Sequence, residues 1–160
     1  MFKVGLVTTG GFSPWCGGSI ISTKHVLTAA HCTKDKFAPS IEVLVGEHDV
    51  GDTEADRRAV ASISDHPEFN IIEQQFDISI LTLVSALTFT SAVAPICLPA
   101  SIGTTNYENT YSEYSNYGAT VTGWGLTATG GTASNTLQEV ELTILTNSAC
   151  EEAWGSQIKR

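Results

Sequence analysis

His31 is the residue in this chain best placed to do chemistry. It follows a β-branched, apolar run, Val26-Leu27-Thr28-Ala29-Ala30, and immediately precedes Cys32. An imidazole held in one orientation at the end of such a strand suits a general base, because proton transfer works only within hydrogen-bond reach of the group being activated. Asp77 is second. Phe76-Asp77-Ile78-Ser79-Ile80-Leu81-Thr82-Leu83 sets one acid into an otherwise apolar, strand-like stretch. An ionised carboxylate there is costly unless it is paired or hydrogen-bonded. Taken alone, Asp77 reads either as a solvated residue at a strand start or as the fixed partner of another group. His25 reads as a strand-surface residue, and His48 and His66 as loop residues.

The elements that must position these groups are short strands. Runs rich in Val, Ile and Thr alternate with Gly, Pro, Asn and Asp: Ser19–Ser22, His25–Ala29, Ile41–Val45, Arg58–Ile63 and Ser79–Leu83. Regular short strands of this kind predict a barrel or a sandwich. Pro95–Pro99 makes an extended connector, since proline biases its predecessor away from helix. A polar, Tyr- and Asn-rich bridge without periodicity follows, from Ala100 to Gly118. A second strand set is expected at Ala119–Trp124 and Leu137–Leu145, with Gln138, Val140, Leu142 and Ile144 on one face. Thr146 or Asn147 is placed to cap a helix running to Trp154, with Glu151 and Glu152 in its early turns. Trp15 and Trp124 are expected to pack, and Gly123 and Gly125 to let backbone pass closely.

Composition narrows the function classes. The 160 residues suit one domain or two very small ones, and 42% hydrophobic with 16% charged describes a globular chain. Net charge is −9 and only eight Lys and Arg are present, scattered, which argues against nucleic acid. No apolar run approaches the roughly 20 residues of a membrane-spanning helix. Four cysteines suggest an oxidising compartment. By spacing alone Cys16 and Cys32 read as a bridge, as buried thiols or as half of a metal site. No Cys-x-x-Cys or His-x-x-x-His spacing supports a metal, and no cofactor is implied. Glu47, Asp49, Glu54 and Asp56 crowd one loop that reads as a solvated acidic segment, with calcium as the other possibility.

Trp15-Cys16-Gly17-Gly18-Ser19 through Thr28-Ala29-Ala30-His31-Cys32 resembles the histidine-bearing motif of the trypsin/chymotrypsin-like serine endopeptidases. Three further segments match in order: Phe76-Asp77-Ile78, Pro95-Ile96-Cys97-Leu98-Pro99, and Thr120-Val121-Thr122-Gly123-Trp124-Gly125. Ser79 and Ile80 depart mildly from the Asp-Ile-Ala-Leu pattern usual there. The resemblance runs from about Val4 to Trp154. It implies an all-β fold of two six-stranded Greek-key barrels, with about 3–99 as the first, 100–118 as connector and 119–160 as the opening part of the second. It implies His31 as general base and then acid, Asp77 as the carboxylate that orients it, and a Cys16–Cys32 disulfide. It further implies protein or peptide substrates, protein inhibitors and an extracellular location.

Phe2-Lys3-Val4-Gly5-Leu6-Val7 resembles the first barrel strand rather than the Ile-Val-Gly-Gly terminus of active members. The nucleophile of such enzymes lies in a Gly-Asp-Ser-Gly-Gly-Pro-like loop, and no Gly-Asp-Ser occurs in these residues. By resemblance, the partners of Cys97 and Cys150 lie outside the chain. The expectation is a truncated form, inactive as it stands, of a serine endopeptidase. The alternative is a non-catalytic homologue that binds or regulates. An unrelated extracellular β-sandwich gives no reason for a His–Cys corner followed by a buried acid.

Overall fold

A computed structural model of the chain describes residues 3–11, 13–52, 55–73, 75–98 and 114–155. Six strands close a barrel: β1 Lys3–Thr8, β2 Cys16–Ile20, β3 His25–Thr28, β4 Ile41–Val45, β5 Asp56–Asp65 and β6 Ser79–Leu83. Their order is β1-β2-β3-β6-β5-β4, and β4 returns to pair with β1, so every strand has two antiparallel neighbours. Closure leaves no unpaired strand edge. A two-stranded sheet, β7 Gly118–Gly123 with β8 Gln138–Thr143, and a helix Asn147–Trp154 complete the regular structure of the described residues. Among the described residues the fold is all-β apart from that helix and two single turns.

Alternation builds the barrel core. Val4 and Leu6 of β1, Val43 and Val45 of β4, and Leu81 and Leu83 of β6 point inward at almost no exposure, together with Ile20, Val26 and Val60. Each such side chain contributes about 1.5–3 kcal/mol relative to an exposed one. Val7 and Leu44 face the other way, yet they too are buried, because Trp124 and Val50 cover them. Gly18 shows why β2 is poor in side chains. A Cβ there would lie 2.8 Å from Val26 Cγ1 and 2.9 Å from the Leu27 carbonyl oxygen, closer than a carbon can sit.

Contacts divide the chain into two compact units. One comprises Met1–Leu98 with Gly123–Gln138, and the other Pro99–Thr122 with Glu139–Arg160. In the second, the alternation of β8 is present but both faces are open: Val140 and Leu142 are each 52% exposed. The helix is capped by Thr146, whose Oγ1 accepts the Ala149 N–H at 3.1 Å, and it stops at Gly155 with φ of 64°. No helix among the described residues is long and apolar enough to cross a membrane.

His31 comes just past the strand, as its place after the apolar run implies. It lies in a single helical turn, α1 Ala30–Thr33, that follows β3. The Cys32 N–H donates to Ala29 O and the Lys34 N–H to Ala30 O. Thr33 fastens the turn, its buried Oγ1 lying 3.1 Å from Ala30 O and 2.6 Å from Asp65 Oδ1 at the end of β5.

Candidate active site

Antiparallel pairing explains why two residues so far apart in sequence meet. Thr28, the last residue of β3, lies opposite Ser79, the first of β6. The chain leaving β3 and the chain entering β6 therefore share one end of the barrel. His31 is just past the first and Asp77 just before the second.

Asp77 grips His31 twice. Its Oδ1 accepts the His31 backbone N–H at 2.7 Å, and its Oδ2 lies 2.6 Å from Nδ1. A carboxylate can only accept, so Nδ1 carries the proton and Nε2 of the neutral ring keeps its lone pair. Nε2 lies 3.3 Å from Cys32 Sγ, a disulfide sulfur with no proton to give. The imidazole side chain is 57% exposed and the carboxylate 28%, so the carboxylate is sheltered and the imidazole can be reached.

Burial pushes the Asp77 carboxyl up, but the hydrogen bonds from the His31 ring and backbone, the His31 charge and the Ala30 N–H together hold it below the usual carboxylate range. A folded-state value below the unfolded one means the unfolded chain binds more protons, so stability rises with pH. This contribution is complete above the unfolded-state value of about 3.9 and is lost as pH falls through the lower folded one. Denaturant midpoints from pH 7 to pH 2 are expected to fall less steeply below pH 4 for Asp77→Asn than for the unmutated chain. Identical slopes would show that Asp77 carries none of the acid lability.

The disulfide joins Cys16 on β2 to Cys32 on α1, with Cα atoms 6.1 Å apart. Trp15 adds a second tie, donating from Nε1 to Cys32 O at 3.2 Å, and Lys36 Nζ lies 5.4 Å from the centre of its ring. The ligand-type atoms of Cys16, His31 and Cys32 lie within 4.8 Å of one another, and no other set of three or more His, Cys, Asp or Glu residues is close enough to hold a metal among the described residues. Both sulfurs are committed to their mutual bond and offer no thiolate to an ion. A cleft of about 340 Å³ opens beside this corner, lined among others by Lys3, Pro14, Trp15, Cys16, Trp124 and Leu126. Burial lowers the Lys3 ammonium pKa from its ordinary value.

Other residues singled out by type stand apart from this corner. His25 Nδ1 lies 2.8 Å from Ser22 Oγ on the surface. The His48 carbonyl accepts the indole N–H of Trp124 at 3.2 Å and the Leu137 N–H. In the acidic loop, Glu47 accepts the Asp56 N–H, Asp49 accepts the Gly51 N–H, and Asp56 pairs with Arg58 at 2.7 Å. Glu54 lies outside the described residues. Cys97 is exposed and Cys150 half-buried, and both are free.

Phe76 had no sequence signal, whereas Ser79 had one in its departure from the Asp-Ile-Ala-Leu pattern. Phe76, adjacent to the acid, has a φ of 53° and stacks on His66. Ser79 is buried with no hydrogen-bond partner for its Oγ among the described residues. An orphaned buried hydroxyl costs about 1–3 kcal/mol. Ser79→Ala is therefore expected to raise stability by about 1 kcal/mol, seen as a higher urea midpoint with an unchanged slope. A lower midpoint would mean the hydroxyl has a partner.

The described residues thus combine a closed six-stranded barrel with an imidazole held by a carboxylate on a disulfide-strapped turn. A family model described as Trypsin matches residues 1–160, and the chain belongs to the trypsin family of serine proteases. It is 34% identical to the proclotting enzyme of Tachypleus tridentatus, over 92% of this chain and 41% of that protein. It is 34% identical to the serine proteinase stubble of Drosophila melanogaster, over 85% of this chain and 17% of that one. With venom serine protease 34 of Apis mellifera it shares 35%, over 88% of this chain and 35% of the other. The chain thus spans less than half the length of each of these relatives.

Proposed function

We propose that this chain supplies the acid–base half of a serine endopeptidase. In that reading His31 Nε2 takes the proton from a serine hydroxyl as it attacks a peptide carbonyl, and later returns it to the leaving amine. Asp77 holds the imidazole in the tautomer that can do so and stabilises the imidazolium that forms. The observation that carries the reading is the double grip of one carboxylate on the ring and backbone of His31. A surface ion pair has no need of the second bond; a base that must keep one orientation through a proton-transfer cycle does. Residues 3–99 would be the first barrel of the peptidase domain, 100–118 its connector and 119–160 the opening of a second barrel. Protein substrates and protein inhibitors follow from membership of a protease family, and the disulfide favours an extracellular location.

No Gly-Asp-Ser run occurs in these 160 residues. The nucleophile is then supplied by further chain of the whole protein, or the protein is a non-catalytic homologue that uses the same scaffold for binding. A fluorophosphonate probe, which labels only activated serines, separates the two. Labelling and peptide hydrolysis by the native full-length protein, with neither from the 160 residues alone, supports the enzyme. An unlabelled native protein supports the homologue. Turnover by the 160 residues that His31→Ala abolishes would place the nucleophile within this chain and refute the reading.

A further inference from the structure

We propose that Phe76 and His66 are positioning residues for the Asp77–His31 pair, the stacked rings holding Phe76 in the left-handed backbone conformation that points Asp77 at the imidazole. The inference rests on the acid–base reading above and deepens it.

Left-handed backbone is unfavourable for a side chain with a Cβ, and for a bulky aromatic it is an outlier that its surroundings must hold in place. At Phe76, burial does not do so, because the residue is 50% exposed. The holding contact is the His66 ring, whose centroid lies 4.8 Å away with the two planes 9° apart. Offset stacks of this kind are attractive beyond the area they cover. The His66 ring is itself anchored: Nδ1 accepts the Glu68 N–H at 3.2 Å. Backbone bonds close the bracket, from His66 N–H to Ile78 O at 2.9 Å and from Ile78 N–H to Phe76 O at 2.8 Å. Asp77 is the residue inside that bracket. Its two oxygens must meet two donors on another element at 2.7 and 2.6 Å. Turning φ of Phe76 from 53° to an ordinary negative value would rotate the chain on which the carboxylate is carried. The stack therefore acts on the histidine through the acid, without touching it.

The test reads the His31 Nδ1–H proton by NMR in the full 160-residue chain. In the unmutated chain it is expected downfield and slow to exchange with solvent. His66→Ala and Phe76→Ala are each expected to speed that exchange about tenfold, with the amides of Val26 and Leu81 protected as before. His66→Phe, which keeps a flat ring, is expected to restore the unmutated rate. Phe76→Asn, whose side chain tolerates left-handed backbone, is expected to fall between. Unchanged exchange in both alanine variants overturns the inference and leaves the acid–base reading standing. Absence of the downfield proton in the unmutated chain strikes at the acid–base reading itself and takes this inference with it. Should Phe76→Ala unfold the barrel, the His66→Ala and His66→Phe comparison decides, since His66 lies outside the core.

Discussion

Asp77→Asn, assayed in a form of the protein that carries the nucleophile, is expected to lower kcat by about four orders of magnitude with the fold intact. That magnitude belongs to the trypsin family itself, where the exchange was measured; the geometry here says why it should apply. Asp77 accepts from two donors, the backbone N–H and Nδ1–H of His31, with one oxygen each. Asparagine has one oxygen and one NH2, so it can satisfy only one of them as an acceptor. If the oxygen stays on the backbone N–H, the NH2 faces Nδ1, which must then give up its proton. The proton moves to Nε2, and the ring presents a donor where a base is needed. If the amide turns the other way, its NH2 opposes the backbone N–H and the α1 turn loses its tie. Ring 15N shifts of His31 distinguish these cases even without a nucleophile. A variant that keeps the Nδ1–H tautomer and full activity would refute the role given to Asp77.

Removing the disulfide is expected to destabilise the barrel unit by about 3 kcal/mol, the loop-entropy value for a closure of this size. The paired replacement Cys16→Ser with Cys32→Ser tests this better than one alone, which leaves a single thiol against a hydroxyl. A loss of that size is a large share of the roughly 5–15 kcal/mol that holds a domain folded. It should also be felt locally. Without the bridge, the Trp15 indole hydrogen bond to Cys32 O still ties the turn bearing His31 to the residue that precedes β2. Urea denaturation with amide exchange around α1 measures both effects. A change below about 1 kcal/mol would assign the holding of the turn to Trp15 and Thr33.

Part of this fold could be read from residue order, for identifiable reasons. Ile41–Val45 and Ser79–Leu83 occur as strands at the positions their β-branched runs mark, because each turns one face into the core and is hydrogen-bonded to a strand on both edges. The expected strand at Ser19–Ser22 begins instead at Cys16, since pairing with Lys3–Leu6 of β1 overrides the poor strand propensity of Gly17 and Gly18. The strand expected at Arg58–Ile63 extends to Asp56–Asp65, because its polar ends still pair with Val45 and Ser79. The site was legible only by likeness. No spacing rule brings residue 77 to residue 31; the register of Thr28 against Ser79 does. Phe76 was illegible altogether, because nothing in its type announces a positive φ and the ring that sustains it is non-local in sequence.

All six barrel strands, and both members of the histidine–carboxylate pair, lie between Lys3 and Leu83. During synthesis, where N-terminal units fold first at about 5–20 residues per second, nothing beyond Leu83 is needed to complete that strand order. The strands that bring His31 and Asp77 together are therefore all made before the segment around Trp124. Later-made chain then adds Leu87 and Val93 to the core and lays Trp124 over Val7 and Leu44, so it completes the packing of a barrel whose strand order is already made.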